Sequence, residues 1–92
     1  MRIISQNGAI DVPYEMSAIR NDDKLIILCM AGETGKGSVI ARYSTSEKAE
    51  KAMEMLREEY KDYAKATNKS NFFTMFDYPK VFQFPKNEDV EV

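Results

Sequence analysis

Met1-Arg2-Ile3-Ile4-Ser5-Gln6-Asn7-Gly8-Ala9-Ile10-Asp11-Val12 reads as two short strands folded back on each other, and this reading decides the fold. Asn and Gly are the residues that best accept positive φ at both centres of a two-residue type I′ turn, so Asn7-Gly8 predicts a β-hairpin. In that register Ile3 faces Val12 and Ser5 faces Ile10, which gives the ribbon one apolar face and one wetter face. A two-stranded ribbon is marginal alone, so its apolar face needs a further layer.

The rest of the chain supplies that layer. From Ile10 the apolar residues Val12, Tyr14, Met16 and Ala18 alternate with the polar Asp11, Glu15 and Ser17. This period of two predicts a strand, with Pro13 as a kink or edge bulge. Asn21-Asp22-Asp23-Lys24 is a turn cluster, and Leu25-Ile26-Ile27-Leu28-Cys29-Met30-Ala31 is an unbroken apolar run of strand length, which reads as a central strand. A flexible loop, Gly32-Glu33-Thr34-Gly35-Lys36-Gly37-Ser38, leads to a further strand at Val39 to Tyr43. Ser44-Thr45-Ser46-Glu47 then fits a capping box with Ser44 as N-cap and opens a helix. Ala49, Ala52, Met53, Leu56, Tyr60, Tyr63 and Ala64 form one apolar stripe roughly 120° wide along it. Lys48, Glu50, Lys51, Glu54, Arg57, Glu58, Lys61 and Asp62 fall on the wet side, with Glu47 and Lys51 spaced as an i,i+4 pair. Asn68-Lys69-Ser70-Asn71 ends the helix, and Val81 to Phe84 returns as a strand. The expected fold is α+β: a twisted antiparallel sheet of roughly four to six strands with one long amphipathic helix on one face. Residues 1–86 form a single domain, and the acidic end at 87–92 is expected to be disordered.

Composition narrows the chemistry. Hydrophobic residues at 43% and charged residues at 30% suit a folded globular chain rather than a disordered one. Lys plus Arg number 13 against 15 Asp plus Glu, too even for a basic field that gathers nucleic acid. The sequence has no His, which removes the usual general base, the usual partner of a nucleophile and the commonest transition-metal ligand. One cysteine, Cys29, cannot build a disulfide or a thiolate metal site within one chain. The N-terminal residues turn polar too early for a secretory leader, and no apolar run approaches a membrane span. The expectation is a cytoplasmic, non-enzymatic protein without cofactor or metal, working by binding.

Each candidate site also has a plainer reading. The Gly32 to Ser38 loop resembles a phosphate-binding loop, but Gly37 intervenes between Lys36 and Ser38 and a strand follows where a helix is required. Glu59-Tyr60-Lys61 is the one clear acid-x-Lys triplet of the kind a metal-dependent nuclease uses, and it falls inside the helix. Cys29 sits in the apolar strand, where burial makes a thiol inert. Six of the ten Phe and Tyr residues (Phe72, Phe73, Phe76, Tyr78, Phe82 and Phe84) cluster near the C-terminus beside Lys69, Lys80 and Lys86. They could stack on a base or nucleotide while Lys80 steadies a phosphate, fill the core, or form a homo-oligomer interface. Met55 lies about 60° outside the apolar stripe, beside Glu59 and Asp62, and is a further contact candidate.

Three stretches carry a family likeness: Met1 to Gly8 with Ile10-Asp11-Val12-Pro13-Tyr14-Glu15; Ile40-Ala41-Arg42-Tyr43-Ser44-Thr45 through Glu47-Lys48-Ala49 to Lys51-Ala52-Met53-Glu54-Met55-Leu56-Arg57; and Val81-Phe82-Gln83-Phe84-Pro85 with the acidic end. In these the chain resembles small, largely uncharacterised proteins from phages and prophages of Gram-positive bacteria. Many such proteins carry a longer insertion where this chain has Thr67 to Lys80. The resemblance implies an accessory of a mobile element, for instance a counter-defence factor that inhibits a host protein or sequesters a nucleotide signal. It brings no catalytic residues with it. A nucleic-acid-binding regulator and a homo-oligomeric structural accessory are the alternatives.

Overall fold

A computed structural model describes residues 1–32, 35, 37–68 and 80–92. Six strands and one long helix give the α+β class. In chain order they are β1 (Arg2–Ile4), β2 (Asp11–Pro13), β3 (Ser17–Asp22), β4 (Leu25–Met30), β5 (Ser38–Arg42), α1 (Ser46–Asn68) and β6 (Val81–Gln83). The strands divide into two three-stranded sheets, β2-β1-β6 and β3-β4-β5, where one sheet was expected. The division happens at Tyr14–Met16, which forms a 3-10 turn rather than a kinked strand. On one side Tyr14 N–H donates to Met1 O at 2.8 Å, closing the first sheet. On the other Ala31 N–H donates to Met16 O at 2.8 Å, opening the second.

The hairpin has the expected register, with Ile3 opposite Val12 and Ser5 N–H donating to Ile10 O at 2.8 Å. Its turn differs. Only Gly8 of the Asn7-Gly8 pair has positive φ, at 79°, so the type I′ turn does not form. Gln6 to Ala9 make a wider loop, in which Ser5 Oγ accepts from Ile10 N–H at 3.0 Å and donates to Asn7 Oδ1 at 2.7 Å. The cause is Gln6, whose N–H donates to Ile40 O of β5 at 2.8 Å instead of pairing with Ala9. Its side chain completes the bridge. Oε1 accepts from Arg42 N–H at 3.0 Å, and Nε2 donates to Arg42 O and Pro85 O, both at 3.1 Å.

β4 is the central strand of its sheet, as the apolar run predicts. The β3–β4 hairpin turns at Asp23-Lys24, where Asp23 takes φ 56°. Asp tolerates the left-handed region better than most residues because its short side chain can bond locally. A Cβ at Gly37 would come within 2.6 Å of both Cys29 Sγ and Leu28 O, so the return into β5 requires glycine there.

The helix begins one residue later than expected. Thr45 is the cap, its Oγ1 accepting from Lys48 N–H at 3.2 Å, while Ser44 N–H donates to Asn87 Oδ1 at 2.8 Å. Ala49, Ala52 and Leu56 of the predicted stripe are buried, and Met53, Tyr60 and Tyr63 pack beside them. Tyr14 stacks against Tyr60 with ring centroids 4.6 Å apart, so the crossing turn rests on the helix. One core joins all layers: Ile3, Phe82 and Phe84 from the first sheet side, Ile26, Leu28 and Ile40 from the second, and the helical stripe between. The acidic end is ordered, contrary to expectation. Asn87–Asp89 form a 3-10 turn and Val90 is buried in the core, because Asn87 is bonded to Ser44 and Lys48 Nζ donates to Asn87 O at 2.9 Å.

Tyr43 closes the same seam, its hydroxyl donating to Pro85 O at 2.8 Å. Burial pushes its pKa from 10.0 up to about 12. The folded protein therefore holds the Tyr43 proton where the unfolded chain has lost it, and stability falls as pH rises between those values. The loss amounts to about 2–3 kcal/mol over that window and nothing below it. Unfolding curves measured from pH 9 to 12 should show this alkaline slope in the wild type and a shallower slope in Tyr43→Phe, compared as slopes because Phe also lacks the hydroxyl bond. Gln6→Leu keeps the volume but loses the carboxamide bonds, and denaturant unfolding should show it about 1–3 kcal/mol less stable.

Candidate functional site

Lys80 to Asn87 runs alongside α1 in the opposite direction, fixed at both ends. Lys80 Nζ lies 2.8 Å from Glu59 Oε2 at one end, and Asn87 O meets Lys48 Nζ at the other. Between these points a groove of about 200 Å³ opens, lined by Lys51, Glu54, Met55, Glu58 and Glu59 of the helix and by Phe82 of β6. Phe82 is the sheet residue of this lining, and no residue of β1 contributes to it.

Two of the candidate residues line this groove and a third pairs with a residue of its lining. Met55 is half-buried and packs against the core rather than standing outside it as an isolated apolar side chain. Phe82 is 7% exposed and forms the apolar end of the groove, its ring edge-on to Phe84 at 5.2 Å and 87°. Lys80 sits at the rim in its pair with Glu59. Phe84, 1% exposed, is a core residue and offers no surface. Phe72, Phe73, Phe76 and Tyr78 lie outside the described residues, as do Glu33, Thr34 and Lys36 of the glycine-rich loop.

The charged rim belongs to the face of the helix that the sequence marks as solvated, and its ion pairs differ from the expected Glu47–Lys51 pair. Lys51 pairs with Glu54 at 3.5 Å, and Lys61 with Glu58 at 3.5 Å. Exposed pairs of this kind contribute at most about 1 kcal/mol and rearrange readily. The signal that could have found this surface is the spacing of Lys51, Met55, Glu58 and Glu59, which puts Met55 at the centre of one helical face with charge on either side. Glu59-Tyr60-Lys61 is helical, as anticipated, and each charged member is occupied in a different pair. Cys29 is half-buried rather than buried, with Arg20 Nη1 3.9 Å from its sulfur. Among the described residues no group of three His, Cys, Asp or Glu is placed to hold a metal ion. Among the same residues, no helix is long and apolar enough to cross a membrane.

The geometry is that of a small α+β protein with a helix–strand groove, apolar along its floor and charged on its rim. No family model matches the chain, and no curated protein or solved structure matches it.

Proposed function

We propose that this chain is a non-enzymatic binding protein that seats a polypeptide in the groove between α1 and β6. The resemblance to phage and prophage proteins supplies the setting: a counter-defence factor that occupies a host protein in the bacterial cytoplasm. The observation that carries the reading is the convergence on one groove of Met55 from α1 and Phe82 from β6, far apart in sequence, with Lys80 paired to Glu59 of the lining. A thioether is flexible and polarisable, which suits it to an apolar side chain of a partner. The same features weigh against a nucleotide signal or nucleic acid. Phe82 is buried and edge-on to Phe84, so it has no free ring face to stack on a base. Glu54, Glu58 and Glu59 rim the groove, and their carboxylates oppose a phosphate.

The test is a photo-crosslinking residue placed at position 55 and, as control, at the exposed position 50, in protein expressed in a Gram-positive host. A discrete adduct with one polypeptide from position 55 alone, a host protein or a second copy of this chain, is the expected result. Met55→Lys should then weaken that partner's binding about tenfold or more, the cost of withdrawing a buried Met side chain. Equal labelling from both positions, or none from position 55, rejects the reading.

A further inference from the structure

β6 is an edge strand of unusual plainness. Arg2 N–H donates to Lys80 O at 2.9 Å and Phe84 N–H donates to Ile4 O at 3.1 Å. In a parallel ladder this alternation turns the amide and carbonyl of Phe82 toward β1, and those of Val81 and Gln83 outward. Among the described residues no strand pairs with that outer edge. Val81 is 46% exposed beside it. The Met55–Phe82 groove takes its sheet residue from the same strand.

We propose that a second copy of this chain pairs with the outer edge of β6, forming a twofold dimer. The proposal rests on the reading of the groove as a seat for polypeptide, and names one occupant. An antiparallel β6–β6 pair with Phe82 opposite Phe82 sets Val81 of each copy opposite Gln83 of the other. These are the two residues whose backbone groups point outward, so both exchange amide and carbonyl bonds with the second copy. The two sheets join into one continuous sheet.

The helix meets the same symmetry. Because α1 runs antiparallel to β6, with Lys80 at Glu59 and Asn87 at Lys48, the twofold that relates the strands also sets the two helices antiparallel. With Met55 facing its own copy, Lys51 faces Glu58 and Glu59 of the second copy, opposite charges on both sides of the axis. A parallel pairing would lack that match. The apolar contact sits at the centre and the charges at the rim, the usual order of a specific interface. The dimer closes on itself, because each β6 has one edge that no described strand occupies, and the pairing uses it.

The experiment uses the whole protein. Light scattering across a concentration series should approach twice the chain mass of 10.6 kDa. Hydrogen exchange at the Val81 and Gln83 amides should slow as concentration rises. Val81→Pro removes an outward N–H that β1 does not use, and should leave a monomer. If that variant does not fold, Lys51→Glu, a charge reversal at a half-buried helix position, serves in its place and should weaken the dimer by about tenfold. A monomeric wild type at millimolar concentration overturns the proposal, as does a dimer that either folded variant leaves at full strength. A monomer that still gives the host adduct from position 55 sinks the dimer alone; a monomer without that adduct sinks the groove reading as well.

Discussion

The carboxamide of Gln6 stands in for a peptide group, and the arrangement of the molecule depends on it. β1, β2 and β6 have three residues each, too short for their sheet to persist alone. Gln6 ties that sheet to the free edge of β5, accepting from and donating to Arg42 as a neighbouring strand would, and its second Nε2 bond reaches Pro85 just beyond β6. One residue thus joins the first sheet, the second sheet and the C-terminal segment. Tyr43 meets the same Pro85 carbonyl from the core side, so the seam is bonded on two faces.

That constraint also explains which edges the molecule closes. Sheet edges invite pairing with other chains and are commonly blunted by proline, bulges, charge or cover. β2 ends in Pro13. β5 is interrupted by a bulge opposite Ile26 and Ile27, and then covered by Gln6. β3 carries Arg20 and Asp22 in its exposed half. β6 has no proline, bulge or charge within its three residues and no covering strand among the described residues, and Val81 adds apolar surface instead. Its plainness stands out against three edges that are each protected by a different means.

Local signals were legible in the sequence, and relations between distant segments were not. The apolar run of β4, the helical stripe and the Ile3–Val12 register all rest on periodicity within a few residues, and they hold. The turn at Asn7-Gly8 departs from its local signal because the competing bond, from Gln6 N–H to Ile40 O, spans 34 positions of sequence. The helix cap moved from Ser44 to Thr45 for the same reason: Asn87 takes the Ser44 amide from the far end of the chain. Composition suggested a disordered acidic end, yet one apolar residue, Val90, and one amide side chain, Asn87, suffice to dock it. Of the candidate site, Met55 and Phe82 could be named singly. Their meeting could not, since it depends on the antiparallel course of Lys80 to Asn87 along the helix.

That course is what makes the groove a defined surface rather than a gap. Lys80 on Glu59 and Asn87 on Lys48 hold the segment at two places, and Phe82 lies between them with its ring locked edge-on against Phe84. A floor fixed at both ends loses little conformational freedom when something docks, which lowers the cost of binding. The flexible parts are Met55 and the exposed lysine and glutamate side chains, which can re-pair without disturbing the backbone. A rigid frame with an adaptable lining suits recognition of one apolar side chain within an extended polypeptide.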